Sequence, residues 1–270
     1  MKSVKIENTA PTGSAVEEMA PLTSVFDPDS TPKAMEECLE NYFNRISAIR
    51  VLIGRNEHHR TLSPRQAILA ARRYGIPTIT RVESSSLKLT KDLLAIYLDL
   101  CAETGVKGIQ FRSESLHPDV RPREVVSLAN SRELDVQFEI EDARFIPSMA
   151  SEAMDVLIGN ATEWLDAGAI NLAADMTMVR PDLQIDLNID LAEYLAGAFG
   201  LRTIIFKASF ESVHQELFAT FGDEVHIGEV PFDRVAAVES MRMNAVTTFA
   251  FPSDSSDSYS HWRWSDNRQG

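Results

Sequence analysis

The residues best suited to chemistry in this chain sit in short β-branched runs. In the run 135–141, Val136, Phe138 and Ile140 form an apolar row. Gln137, Glu139 and Glu141 then take the opposite face, because strand side chains alternate. The run 108–113 sets Ile109 and Phe111 against Gln110 and Arg112. The run 169–175 sets Ile170 and Leu172 against Asn171, Ala173 and Asp175. In 202–208, Ile204 and Phe206 oppose Thr203, Ile205 and Lys207. In 224–230, Val225 and Ile227 oppose His226 and Gly228, and Glu229 ends the run. Carboxylates, guanidinium groups and an amine gathered on one set of faces can bind an anion, move protons or hold a cation. The ends of other runs add Asp27, then Arg55, Glu57, His58, His59 and Arg60, then Arg81 and Glu83, and finally Arg144.

Not every titratable residue reads as a site residue. His58 and His59 are adjacent and point apart, unlike an HExxH ligand spacing. His226 faces inward on a strand, which suits either a site role or a hydrogen-bonded core histidine. His117 precedes Pro118 and reads as a loop residue.

The elements that must position these groups alternate strictly. Strand runs are expected at 22–26, 49–54, 78–82, 108–113, 135–141, 169–175, 202–208 and 224–230. Each is followed by a stretch with helical apolar spacing: 32–46, 63–74, 90–104, 121–132, 148–167, 187–199, 210–220 and 232–245. Gly75, Gly105 and Gly200 stop helices just before strands. Pro64 and Pro122 start them. Eight βα units in a row, with no GxGxxG or Walker turn, predict a single-domain α/β fold, the (β/α)8 or TIM barrel. The barrel spans residues 21–250, with a loose arm at 1–20 and a tail at 251–270. The tail carries Trp262 and Trp264, which suit docking on the body or on a second subunit.

In a barrel the polar faces point inward. An interior with Arg112, Glu139, Asp175 and Lys207 departs from the usual layers of Val, Ile and Leu. Each of these charges is expensive to bury without a partner. Satisfied internal ion pairs explain part of the set. Convergence of at least four strands on one end points to a site at the C-terminal mouth.

Composition limits the partners. The 270 residues carry 40 acidic and 26 basic side chains, a net charge of −14. A nucleic-acid or anionic-membrane partner needs a basic face and is not expected. No apolar run reaches the ~18 residues of a membrane span, and no secretory h-region opens the sequence. Cys38 and Cys101, the two cysteines, lie in amphipathic helical stretches and read as reduced residues of a cytoplasmic protein.

The second half carries a family pattern. Asp166-Ala167-Gly168-Ala169 leads into a strand, and Ile204-Ile205-Phe206-Lys207-Ala208 forms the next. Phe221-Gly222, His226-Ile227-Gly228-Glu229-Val230, Phe232-Asp233-Arg234-Val235 and Val238-Glu239-Ser240-Met241-Arg242 follow. Their order and spacing resemble the phosphosulfolactate synthases. Phe26-Asp27, Gly54, Gly75-Ile76 and Glu139 extend the resemblance over residues 22–248, with 164–242 carrying most of it. The resemblance implies a (β/α)8 barrel and a homo-oligomer. It also implies a lyase that adds sulfite to the double bond of phosphoenolpyruvate with magnesium, in coenzyme M biosynthesis.

Departures from the family pattern fall at the mouth. Leu52-Ile53-Gly54-Arg55-Asn56 lacks the family's lysine and tryptophan. Arg144 stands nearest the position of a lysine acid or base, and arginine is a poor proton shuttle. Asp175-Met176-Thr177-Met178 keeps one carboxylate and loses an arginine. Lys207 replaces a glutamate. Asp27, Glu139 and Asp175 survive. The scaffold reads as inherited and the substrate as changed.

These residues predict a lyase-type enzyme acting on a small enolic, carboxylate or phosphate anion. Arg55, Arg81, Arg112, Arg144 and Glu229 are the expected substrate-binding residues, and Glu139, Asp175, Lys207 and His226 the expected catalytic ones. Magnesium is assigned to Asp27 and Glu141, with Glu139 and Asp175 holding it or moving protons. One alternative makes Lys207 a Schiff-base nucleophile. Another makes the chain a non-catalytic binding or assembly protein.

Overall fold

Each helix starts where the sequence gives its unpaired N–H groups a partner. The hydroxyl of Thr31 accepts from Ala34 N (3.1 Å) ahead of α1 (Pro32–Tyr42). Ser63 and Gln66 cap each other reciprocally ahead of α2 (Pro64–Arg73), which satisfies two orphan donors at once. Thr90 caps α3 (Lys91–Thr104). That helix ends on Gly105, whose φ of 87° is the left-handed turn that glycine adopts without a Cβ clash. Proline opens α4 (Pro122–Asn130), α5 covers Ser151–Ala167, and Asn188 caps α6 (Ile189–Phe199). Helices α7 (Glu211–Phe221) and α8 (Val235–Ala250) complete the set.

A computed structural model describes residues 22–53, 61–82, 88–140, 151–175, 177–179, 185–208 and 210–250. Its strands in chain order are β1 (Thr23–Val25), β2 (Ile46–Val51), β3 (Thr78–Arg81), β4 (Gly108–Phe111), β5 (Asp135–Ile140), β6 (Asn171–Asp175), β7 (Thr177–Val179), β8 (Ile185–Leu187), β9 (Ile204–Lys207) and β10 (His226–Val230). Eight of them close into a parallel barrel in the order β1-β10-β9-β6-β5-β4-β3-β2. The fold is the (β/α)8 barrel that the alternation predicts. Among the described residues, no helix is long and apolar enough to cross a membrane.

Some boundaries differ from the expected ones. The first helix stops at Tyr42 rather than 46, and β2 begins at Ile46 rather than 49. The alternation Ile46-Ser47-Ala48-Ile49-Arg50-Val51 continues the strand backward, and the following Leu52-Ile53 leaves it. Short 3-10 turns at 201–203, 222–224 and 232–234 take residues assigned to strands or to the last helix. An antiparallel pair, β7–β8, lies between β6 and α6; strict βα alternation has no place for it.

The core lies between the barrel and its helices, where the apolar rows face outward. Trp164 of α5 stacks on Phe138 of β5 (ring centroids 4.9 Å) and Phe111 of β4 (6.1 Å). Leu172, Ile204, Phe206 and Ile227 are fully buried in the same layer. Ile170, expected in that row, precedes β6 and is half-exposed.

At the N-terminal end of the barrel one side chain ties the first and last strands to the last helix. Arg242 of α8, 2% exposed, donates to the carbonyls of Leu22, Asp223 and Val225 and to Thr23 Oγ1, with Nε on Glu239 Oε1 at 3.3 Å. Thr23 Oγ1 in turn donates to Glu239 (2.5 Å). This buried pair fastens the last helix to the first strand.

Candidate active site

At the C-terminal mouth three cationic side chains meet two carboxylates. β9 ends on Lys207, whose ammonium donates to Glu139 Oε1 of β5 at 2.7 Å. It also lies 2.7 Å from Glu229 Oε1 of β10. Between β5 and β9 runs β6, whose inward residue Ala173 leaves space for the contact. Arg50 of β2 pairs with the same Glu229 oxygen, and its guanidinium stacks 3.6 Å from the ring centre of Phe26. Arg81, ending β3, faces Glu139 Oε2 at 3.5 Å. Lys207, Glu139 and Arg50 are all buried.

Glu229 reaches this cluster because β10 is irregular. Thr23 pairs with Ile227 and Val25 with Val230, so two steps of β1 match three of β10. The extra residue is Glu229, at a φ of 61°. Such a β-bulge re-aims side chains, and the left-handed backbone of a non-glycine residue is strain of the kind found at functional sites. Simple alternation turns Gly228 inward and Glu229 outward. The bulge brings Glu229 into the interior and returns Val230 to the core. Gly228 permits the close approach, since a Cβ there would sit 2.6 Å from Ile205 Cγ2 and 3.3 Å from Ser24 Oγ.

Burial by itself would raise the Glu229 carboxyl, but the charges of Arg50 and Lys207 outweigh it and hold the group below its usual value. Burial lowers the Arg50 guanidinium from its ordinary value, opposed by Glu229. Arg50 Nε, Gln110 Oε1, Gln137 Oε1 and Glu139 Oε2 are buried without a hydrogen-bond partner among the described residues. Arg50, Gln110 and Gln137 line one small interior cavity with Lys207 and Glu229.

The sequence-predicted residues separate into groups. Glu139, Lys207, Glu229 and Arg81 come together. Asp175 ends β6 in register with Lys207. Arg112, just past β4, pairs with Glu114 at 2.7 Å. Asp27, after β1, accepts a hydrogen bond from Phe232 N (3.3 Å); burial pushes its carboxyl up and that bond opposes it. His226 does not join the cluster. It begins β10, about 10 Å of strand below Glu229, and shares a hydrogen bond with Ser47 Oγ (2.9 Å). Burial, aided by the charge of Arg242, lowers its imidazole to about 3. It is a neutral residue near the N-terminal end of the barrel. Arg55, Glu141 and Arg144 lie outside the described residues, as do His58, His59 and Glu83. His117 lies 3.3 Å from Asp119 and is half-exposed.

Arg50 is the member that the sequence reading missed. The signal was present: between Ile49 and Val51 it takes the inward face by the same alternation.

Magnesium, implied by the resemblance, needs oxygen ligands not already neutralised. Both carboxylates of the cluster are paired with cations. A divalent ion about 4 Å from one unit positive charge is repelled by roughly 8 kcal/mol at an effective dielectric of about 20. Asp27 is engaged by the Phe232 amide. Among the described residues no three of His, Cys, Asp and Glu form a group that could hold a metal. The ion-paired Lys207–Glu139–Glu229 cluster therefore does not fit magnesium, and Glu141, assigned to the ion, lies outside the described residues.

No curated protein gives a significant match to the chain. The family model described as (2R)-phospho-3-sulfolactate synthase matches residues 17–248, which takes in every strand of the barrel and the ion-pair cluster at its mouth. A resemblance carried mainly by the second half thus extends through both halves, and the chain belongs to the (2R)-phospho-3-sulfolactate synthase family.

Proposed function

We propose that the protein is a lyase-type enzyme that adds a nucleophile to the double bond of a small enolic carboxylate or phosphate anion. The observation that carries this reading is the cluster of Arg50, Arg81 and Lys207 on Glu139 and Glu229. Barrel enzymes place their chemistry at this end of the strands. Arg50 Nε and the amide oxygens of Gln110 and Gln137, without a hydrogen-bond partner among the described residues, supply further polar groups for an oxygen-rich ligand, since buried polar atoms are normally paired.

In this reading Arg50 and Arg81 bind the anion by charge-assisted hydrogen bonds, with Arg112 at the rim. The nucleophile forms its bond to the terminal alkene carbon. The π electrons move to the adjacent carbon and its carboxylate. Lys207 delivers a proton to that carbon, and the resulting amine takes a proton back from solvent. Arginines fixed before substrate arrives stabilise the charge that develops on the carboxylate.

The Schiff-base alternative requires Lys207 to act as a free amine. Its two 2.7 Å contacts to carboxylates favour the ion-pairing role. Borohydride with a carbonyl substrate should leave the mass of Lys207 unchanged.

The test is incubation with phosphoenolpyruvate and sulfite, followed by phosphorus NMR, beside a thermal-shift panel of small carboxylates and phosphates. At least one enolic or phosphorylated anion should raise Tm in the wild type and fail to do so in Lys207→Met. A phosphosulfolactate resonance would make the substrate the family's own. A folded protein that no anion stabilises would refute the reading in favour of a non-catalytic role.

A further inference from the structure

We propose that Lys207 is this chain's resident cation, taking the place of a divalent metal between Glu139 and Glu229, so that the mouth needs no magnesium to bind its anion. Two carboxylates from different strands converge on one point, each 2.7 Å from the Lys207 nitrogen. Convergent carboxylate oxygens are what a hard divalent cation takes as ligands. Here that point holds an ammonium on a fixed stem. Arg50 shares the Glu229 oxygen that Lys207 holds, and Arg81 faces the other oxygen of Glu139, so three cations offset these two carboxylates.

The backbone is built around this arrangement. Glu229 reaches Lys207 from a left-handed conformation at the bulge. Gly228, beside it, lets β9 pack close to the bulge: a Cβ there would lie 2.6 Å from Ile205 Cγ2. Strain is kept only where surrounding contacts over-determine it, and the ion pair is the contact that Glu229 makes. Where the family resemblance implies a glutamate, this chain has lysine. That exchange removes a negative charge and supplies a positive one in one step.

The inference goes beyond the proposed reaction, because it concerns the protein's affinity for a cation whatever substrate the mouth takes. The experiment is therefore metal binding without substrate. Chelator-treated full-length protein is titrated with Mn2+ and free ion is followed by EPR. The wild type should show no site tighter than about 1 mM, a weak-binding limit near −4 kcal/mol. Lys207→Glu should gain one site per chain, at least tenfold tighter, and adding Glu139→Gln should remove it. Circular dichroism reports whether each variant folds. If Lys207→Glu does not fold, Lys207→Gln is used with the same expected gain. Stoichiometric micromolar Mn2+ binding by the wild type that Glu139→Gln abolishes would overturn the proposal. So would a folded Lys207 variant that gains no site. Turnover plays no part in either result, so failure of the proposed reaction leaves a separate signature.

Discussion

Removing the Lys207 ammonium and the Glu139 charge together should destabilise the barrel less than the sum of the two single changes. Lys207→Met leaves two buried carboxylates short of one partner each. Deleting one member of a buried pair costs roughly 3–5 kcal/mol. Here Arg81 remains at 3.5 Å from Glu139, and Arg50 remains on Glu229, so a loss of about 2–4 kcal/mol is expected. Glu139→Gln leaves Lys207 with Glu229 as its carboxylate at 2.7 Å, and about 1–3 kcal/mol is expected. With both changes made, neither side chain leaves the other stranded. The coupling in the double-mutant cycle should be about 1–3 kcal/mol. Urea unfolding at pH 7, followed by far-UV circular dichroism, gives all four corners of the cycle. A parallel cycle with Arg81→Met should show weaker coupling, because that contact is longer and Arg81 is 23% exposed. Additivity within about 0.5 kcal/mol for Lys207 and Glu139 would refute the reasoning. So would a stronger coupling through Arg81.

Two further predictions concern the N-terminal end of the barrel. Arg242→Met removes the donors to Leu22, Asp223, Val225 and Thr23 and strands Glu239; a loss of about 3–5 kcal/mol in urea unfolding is expected, with anion binding at the mouth unchanged below the melting range. His226 sets a pH dependence. Its folded value of about 3 lies below the ordinary 6.5, so the unfolded chain binds the extra proton between them. The stability from the neutral imidazole is complete above pH 6.5 and is lost as pH falls toward 3, by about 1.4 kcal/mol per unit. Between pH 7 and 5 the wild type should lose about 2 kcal/mol more than His226→Gln; parallel urea curves at both pH values would refute this.

The barrel was legible in the sequence because its signals are local. Alternation in Val136-Gln137-Phe138-Glu139-Ile140 follows from the geometry of a single strand, and the apolar row had to face the helices. Ser63-Pro64 and Gly105 marked helix ends through the needs of single N–H groups and one φ angle. The same alternation placed Glu139 and Lys207 inward, and it would have placed Arg50 there too. What it does not carry is depth along the barrel or partnership across it. His226 and Lys207 read alike as inward residues, yet one lies near the N-terminal end and the other at the mouth, because register between neighbouring strands sets height. Lys207 and Glu139 are 68 residues apart and meet only because Ala173 leaves room between them. Glu229 breaks the alternation altogether. Its inward turn depends on the extra residue of β10 against β1, two strands that pair Thr23 with Ile227 from opposite ends of the barrel sequence. Chain-local sterics decide which face a residue takes. Closure of the barrel decides which charges share a site.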